Sequence, residues 1–179
     1  MCDPVAAHIM GNKVPYLNTL LQSFWGMDKA LDWGRLYHSP AVTQSPANRL
    51  SLNRQLHYWF GKARFAFKPL SHTSTTITLQ FHWLRRAKLS PSTIIEISGE
   101  AFLDSTGLRI PPKTWGACLA HRASGVPIRT GQTFVIRADN ANDLPSFELL
   151  ELQWNLLRVA AICGAAEVED ELDSDVGDD

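Results

Sequence analysis

Residues 47–60 read ANRLSLNRQLHYWF. ANRLSL reads as a short strand, and Leu52, Leu56 and Trp59/Phe60 then recur at helical spacing, predicting a helix from about Ser51 to Phe60 with Gly61 as its stop. A strand that passes directly into a helix puts Asn48 at the start of the strand and His57 on the helix. The spacing Asn48-x8-His57 lets the chain turn and the helix fold back across its own strand.

Working outward toward the N-terminus, a first short strand ends near His8 in AAHIMG. Leu17, Leu20, Leu21 and Phe24 recur at helical spacing after Pro15, and Gly26 and Asp28 divide the stretch into two helices. SPAVTQSP, 39–46, reads as a loop. On the other side, Phe65 and Phe67 alternate with Arg64, Ala66 and Lys68. In TTITLQFHWL, Ile77, Leu79, Phe81 and Trp83 face one way, and Thr76, Thr78, Gln80 and His82 the other. That alternation predicts a half-buried antiparallel strand with His82 exposed. Thr93–Ser98 and Gln132–Ala138 are further strand candidates, separated by an irregular stretch. A long helix, Leu144–Cys163, follows, with Asp143 as cap, Pro145 in the first turn and Gly164 at the end. It is apolar nearly all round and is expected to be buried against the sheet. The fold class is α+β.

Charge divides the chain in a way the total hides. Lys+Arg is 17 and Asp+Glu 18, a formal −1. Eight of the acids fall in EVEDELDSDVGDD, 167–179, so residues 1–166 carry 17 bases against 10 acids. A body of net +7 attracts phosphates over a Debye length of ~8–10 Å. The acidic segment is expected to be disordered and able to compete with a nucleic acid for that body; a purely solubilising role is the alternative. The 45% hydrophobic and 9% aromatic content suits a globular domain. No apolar run reaches the ~18 residues of a spanning helix, and MCDPVAAHIMGNK lacks the form of a secretion signal. Cys2, Cys118 and Cys163 cannot all pair and form no CxxC, so a reducing, intracellular setting is expected. Cys118 and Cys163 read as small core residues.

There is no phosphate-binding Gly-rich loop, GxSxG or HExxH. The histidines remain: one at the end of a strand (His8), one on a helix (His57), with Asn48 between. Such a trio can serve phosphodiester hydrolysis, one neutral imidazole taking a proton from water while another ligates a cation. The segments AAHI … ANRLSLNRQLH resemble the HNH endonuclease motif of the ββα-metal fold. More specifically the chain resembles HNH nuclease-domain proteins of filamentous fungi. DPVAAHI, FWGMDKALDWGRLY, QSPANRLSLNRQLHYWFGKARFAFKPL, FHWLRR, GVPIRTGQTF and LPSFELLELQWNLLRVAAICGAA carry the likeness, over most of residues 2–166.

The resemblance implies one nuclease-like domain, 1–166, with its motif in 2–70 and a family-specific antiparallel β region and long helix in 71–166, then the acidic tail 167–179. It implies His8 as general base, Asn48 as the residue orienting the site, and His57 as ligand to a divalent metal ion (Mg, Mn or Zn). Ala7 and Gly61 stand where many members carry further ligands; Asp3 and Asn53 lie close enough in sequence to be substitutes. The implied partner is DNA, held mostly through its backbone by Arg54, Lys62 and Arg64, with Arg85, Arg86 and Lys88 as a second basic group. His38, His72 and His121 fall in expected loops and receive no role, and the six tryptophans read as core. The rival expectation is a degenerate HNH fold kept as a nucleic-acid-binding or protein-interaction module.

Overall fold

The computed structural model describes residues 5–10, 17–84, 120, 121 and 124–163. Strand β1 (Val5–His8) pairs antiparallel with β2 (Arg49–Leu52), in the register His8 opposite Arg49 and Ala7 opposite Leu50. Between these strands the chain makes α1 (Leu17–Trp25), α2 (Met27–Tyr37) and the short α3 (Pro40–Thr43). Gly26 separates the first two at φ 81°, a conformation that favours glycine. The expected loop 39–46 thus contains a helical turn, begun by Ser39 and Pro40.

Helix α4 (Arg54–Gly61) follows β2 and packs on both β1 and β2. It starts later than the sequence suggests: Ser51 is still in the strand, and Asn53 caps the helix by accepting the Leu56 N–H at 2.8 Å. Ala63, in the turn beyond, has φ 47° in a position usually given to glycine, and its methyl is buried.

Strands β3 (Phe65–His72), β4 (Thr76–Trp83) and β5 (Thr133–Arg137) form a second, antiparallel sheet in that order. Phe65, Phe67, Phe81 and Trp83 occupy one face in mutual ring contact, and Phe60 of α4 adds its ring to Phe65 and Phe67. That face looks toward β2 and α4. The chain is therefore α+β with antiparallel sheets and a long C-terminal helix, α5 (Phe147–Cys163), packed along β3.

α5 begins three residues later than its periodicity implied. Leu144 precedes Pro145 and is extended (ψ 144°), since a proline disfavours helical geometry in the residue before it. The cap is then Ser146, whose hydroxyl accepts the Leu149 N–H at 3.2 Å, while Asp143 ends a separate 3-10 turn. Burial against the fold is as expected for Leu149, Leu150, Leu152, Trp154, Leu157 and Ala161.

Burial corrects His82. It is 0% exposed rather than solvated, because Trp154 of α5 lies against its ring at 4.8 Å between centroids. Its Nε2 sits 2.9 Å from Gln80 Oε1, and Gln80 Nε2 donates to the Gly131 carbonyl. Because the amide donates there, its oxygen faces the ring, so His82 Nε2 carries the proton. His72 is likewise in β3, not a loop, with its ring on Phe147. Among the tryptophans, Trp33 and Trp154 are buried and Trp25, Trp59 and Trp83 half-buried. The expected strand Thr93–Ser98, the part of the irregular stretch up to residue 119, Trp115, Cys2, Asp3, Cys118, Arg85, Arg86, Lys88 and the acidic tail lie outside the described residues, as does the side chain of Cys163.

Candidate functional site

The β1–β2 pair sorts its side chains by strand period. Ala7, Leu50 and Leu52 are buried; Ala6, His8, Arg49 and Ser51 are exposed. His8 and Arg49 are directly opposite each other, so their side chains leave the same face as neighbours. Sequence reading passed over Arg49. The signal was there, since a strand that buries Leu50 and Leu52 must turn Arg49 to the side that carries His8.

Asn48 fixes this arrangement. It is wholly buried, and every polar atom of its side chain is used. Met10 N–H donates to its Oδ1 at 2.8 Å, and its Nδ2 donates to the Met10 and Thr43 carbonyls at 3.1 and 3.0 Å. Ile9 N–H donates to the Asn48 carbonyl at 2.9 Å. One amide thus ties the segment just after His8 to the turn that starts β2. A leucine of similar size would leave buried backbone groups unpaired, each a loss of about 1–3 kcal/mol. Ser146 N–H, bonded to the Ala47 carbonyl at 2.7 Å, holds the same turn from the side of α5.

His57 is half-buried in α4, its N–H bonded to the Asn53 carbonyl. The position before His8 is closed to solvent: Ala7 points inward and is 0% exposed. Gly61 is open, since a Cβ there would meet nothing within 4 Å. Asn53 spends its Oδ1 on the helix cap. Among the described residues no three His, Cys, Asp or Glu side chains gather as a metal-binding group.

The basic residues are spread along α4 and the turn after it. Arg54 is exposed at the first position of α4. Lys62 lies 6.0 Å from the Tyr58 ring centroid. Arg64, half-buried at the head of β3, has a buried Nε with no hydrogen-bond partner. Ion pairs among the described residues join Lys29 to Glu151 and Arg35 to Asp32, and neither involves Arg49, Arg54, Arg64 or Lys68. Arg158 of α5 lies over Trp154 at 5.1 Å, and burial lowers its pKa from the ordinary arginine value.

A cavity of about 470 Å³ opens between β2, α4 and the aromatic face of the larger sheet, walled largely by Leu50, Leu52, Leu56, Phe67, Leu79 and Phe81. Its apolar lining does not suit a phosphodiester. No described helix is long and apolar enough to cross a membrane. Comparison with protein-family models, with curated proteins and with solved structures finds no match to this chain.

Proposed function

We propose that the chain is an HNH-type, metal-dependent endonuclease hydrolysing phosphodiester bonds in DNA, built on a ββα unit of β1, β2 and α4. The observation that carries this reading is the clamp by Asn48, which holds the end of β1 so that His8 stands on an exposed face beside Arg49. In the proposed reaction His8 accepts the proton of a water whose oxygen forms the new bond to phosphorus. The bond from phosphorus to the leaving oxygen breaks, and that oxygen departs with the electron pair and takes a proton from solvent water. Arg49 holds a non-bridging oxygen of the same phosphate, and Asn48 is a positioning residue. His57 would hold the divalent ion, which supplies neutralisation of the charge that builds on the phosphate. Arg54, Lys62 and Arg64 would bind backbone phosphates, giving strong salt dependence and little base preference.

A second reading has its own observation. With Ala7 turned into the core and Asn53 used as a cap, the described residues leave His57 as the one clear protein ligand. A fold with so sparse a donor set serves equally as a polyanion-binding module.

Plasmid nicking with added magnesium, manganese or zinc decides between them, run on wild type, His8→Ala and a chelator control. Cutting that disappears with both His8→Ala and chelator supports the enzyme. Binding of DNA without cutting, unchanged by His8→Ala or by chelator, establishes the module instead. Gly61→His sharpens the test, because it restores an i,i+4 pair with His57 on an open helix face. It is expected to raise zinc affinity about 10-fold or more if His57 is a ligand.

A further inference from the structure

Helices α1 and α2 pack on each other as a hairpin. Gly34 comes so close to α1 that a Cβ there would meet Asn18 Oδ1 at 3.2 Å, and Trp25 sets its ring edge-on to the buried Trp33 at 5.7 Å. Lys29 fastens the hairpin to α5 through Glu151 at 2.9 Å. Ala30, Trp33 and Gly34 are the buried side of α2. Its other side is not closed by any described residue: Met27 is 57% exposed and Leu31 47%, with Phe24 at 63% just across Gly26. Exposed large apolar side chains clustered in this way mark an interaction site, whereas single ones need no explanation.

The charges on that side are ordered. At 3.6 residues per turn, Met27, Asp28, Leu31 and Arg35 fall within about 100° of arc on α2, and all four are exposed. Asp28 makes no ion pair among the described residues. Arg35 reaches Asp32 through Nη1 alone, at 3.6 Å, between side chains 78% and 70% exposed, and an i,i+3 pair so open to water gives way readily. The stripe thus has an acid at its start, apolar side chains along it and a base at its end. It is complementary to itself when reversed. With a rise of 1.5 Å per residue, Asp28 lies about 4.5 Å before Leu31 and Arg35 about 6 Å after it. A reversed copy centred on Leu31 therefore brings its arginine within about 1.5 Å of the level of Asp28, across the 8–10 Å that separates packed helices. A copy in the same direction would set Asp28 against Asp28.

We propose that this face of α2 is the contact surface of a two-fold dimer, in which a second copy of the chain lays its own α2 antiparallel on the first. Leu31 meets its counterpart at the axis, Met27 and Phe24 extend the apolar contact, and Asp28 of each copy pairs with Arg35 of the other. An interface of this kind is isologous and closed, so assembly stops at two. The basic residues Arg54, Lys62, Arg64 and Lys68 belong to α4, the turn after it and β3, and take no part. The dimer does not depend on the nuclease reading.

Sedimentation equilibrium over a range of concentrations at low salt tests it, on the whole chain. Wild type is expected to pass from monomer to dimer as concentration rises, and Leu31→Asp to remain monomeric. Asp28→Arg and Arg35→Asp each place like charges together at both ends of the stripe and are expected to weaken the dimer about 10-fold. Mixed in equal amounts, these two variants form a heterodimer in which both charge pairs are restored, and association returns to the wild-type level. Such recovery on mixing separates the proposed pairing from damage to the helix, which mixing cannot repair. A wild-type chain that stays monomeric up to millimolar concentration overturns the proposal. So does a dimer that Leu31→Asp leaves intact, or one whose two charge variants fail to recover on mixing.

Discussion

The β1–β2 sheet has four paired positions and is closed by a single buried amide, Asn48, whereas the β3–β4–β5 sheet is filled by Phe65, Phe67, Phe81 and Trp83 in mutual ring contact. Stability in the larger sheet is shared over many weak contacts, each ring touching several others. In the smaller sheet it is concentrated in three directional bonds from one side chain. The first arrangement resists change by degrees. The second fixes one geometry and fails as a unit, and it is the one that sets His8 opposite Arg49.

Substitutions in the two regions test that contrast. Phe65→Ala removes a fully buried ring stacked on Phe81, and denaturant unfolding should report a loss of about 3–5 kcal/mol. Asn48→Ala should cost about 2–4 kcal/mol, because the Met10 and Thr43 backbone groups are left buried and unpaired. The two also differ in kind. Asn48→Ala should speed hydrogen exchange at Ile9 and Met10 while leaving β3 and β4 protected; a uniform loss of protection would break the comparison. Asn53→Ala removes the cap of α4 and should cost about 1 kcal/mol by the same unfolding measurement. His8→Ala, exposed and outside the clamp, should change stability by less than about 0.5 kcal/mol, so any effect it has on DNA cleavage is chemical. A large unfolding effect from His8→Ala would show that the face beside Arg49 holds the fold together and does not merely display a side chain.

What was legible in the sequence follows the range of the interactions concerned. β3, β4 and β5 could be read because their alternation is local, and α4 because Leu56 and Phe60 keep helical spacing. His82 was misread because the residue that buries it, Trp154, is remote in sequence; alternation says which face a side chain takes but not what covers that face. The start of α5 was displaced by Pro145, a local signal whose effect on Leu144 outweighed apolar periodicity. Asn48 was singled out as the residue orienting the site; the backbone groups its side chain bonds, those of Met10 and Thr43, became identifiable only once β1 met β2. Arg49 was missed for lack of that same register. The sequence pattern could nominate His57 but could not say that Asn53, its neighbour one turn earlier, is already spent on a cap.

The insertion of α1, α2 and α3 between β1 and β2 has a kinetic consequence. His8 and Arg49 meet only when the ends of a 40-residue loop close, a search whose entropy grows slowly with length, by about 0.6 kcal/mol per doubling. β3 and β4 are joined by a tight turn, and α1 and α2 are adjacent, so both can form from local contacts. By that argument the strand pair that displays His8 forms after the β3–β4 hairpin. A chain still folding would hold the stacked rings of β3 and β4 before it set His8 opposite Arg49.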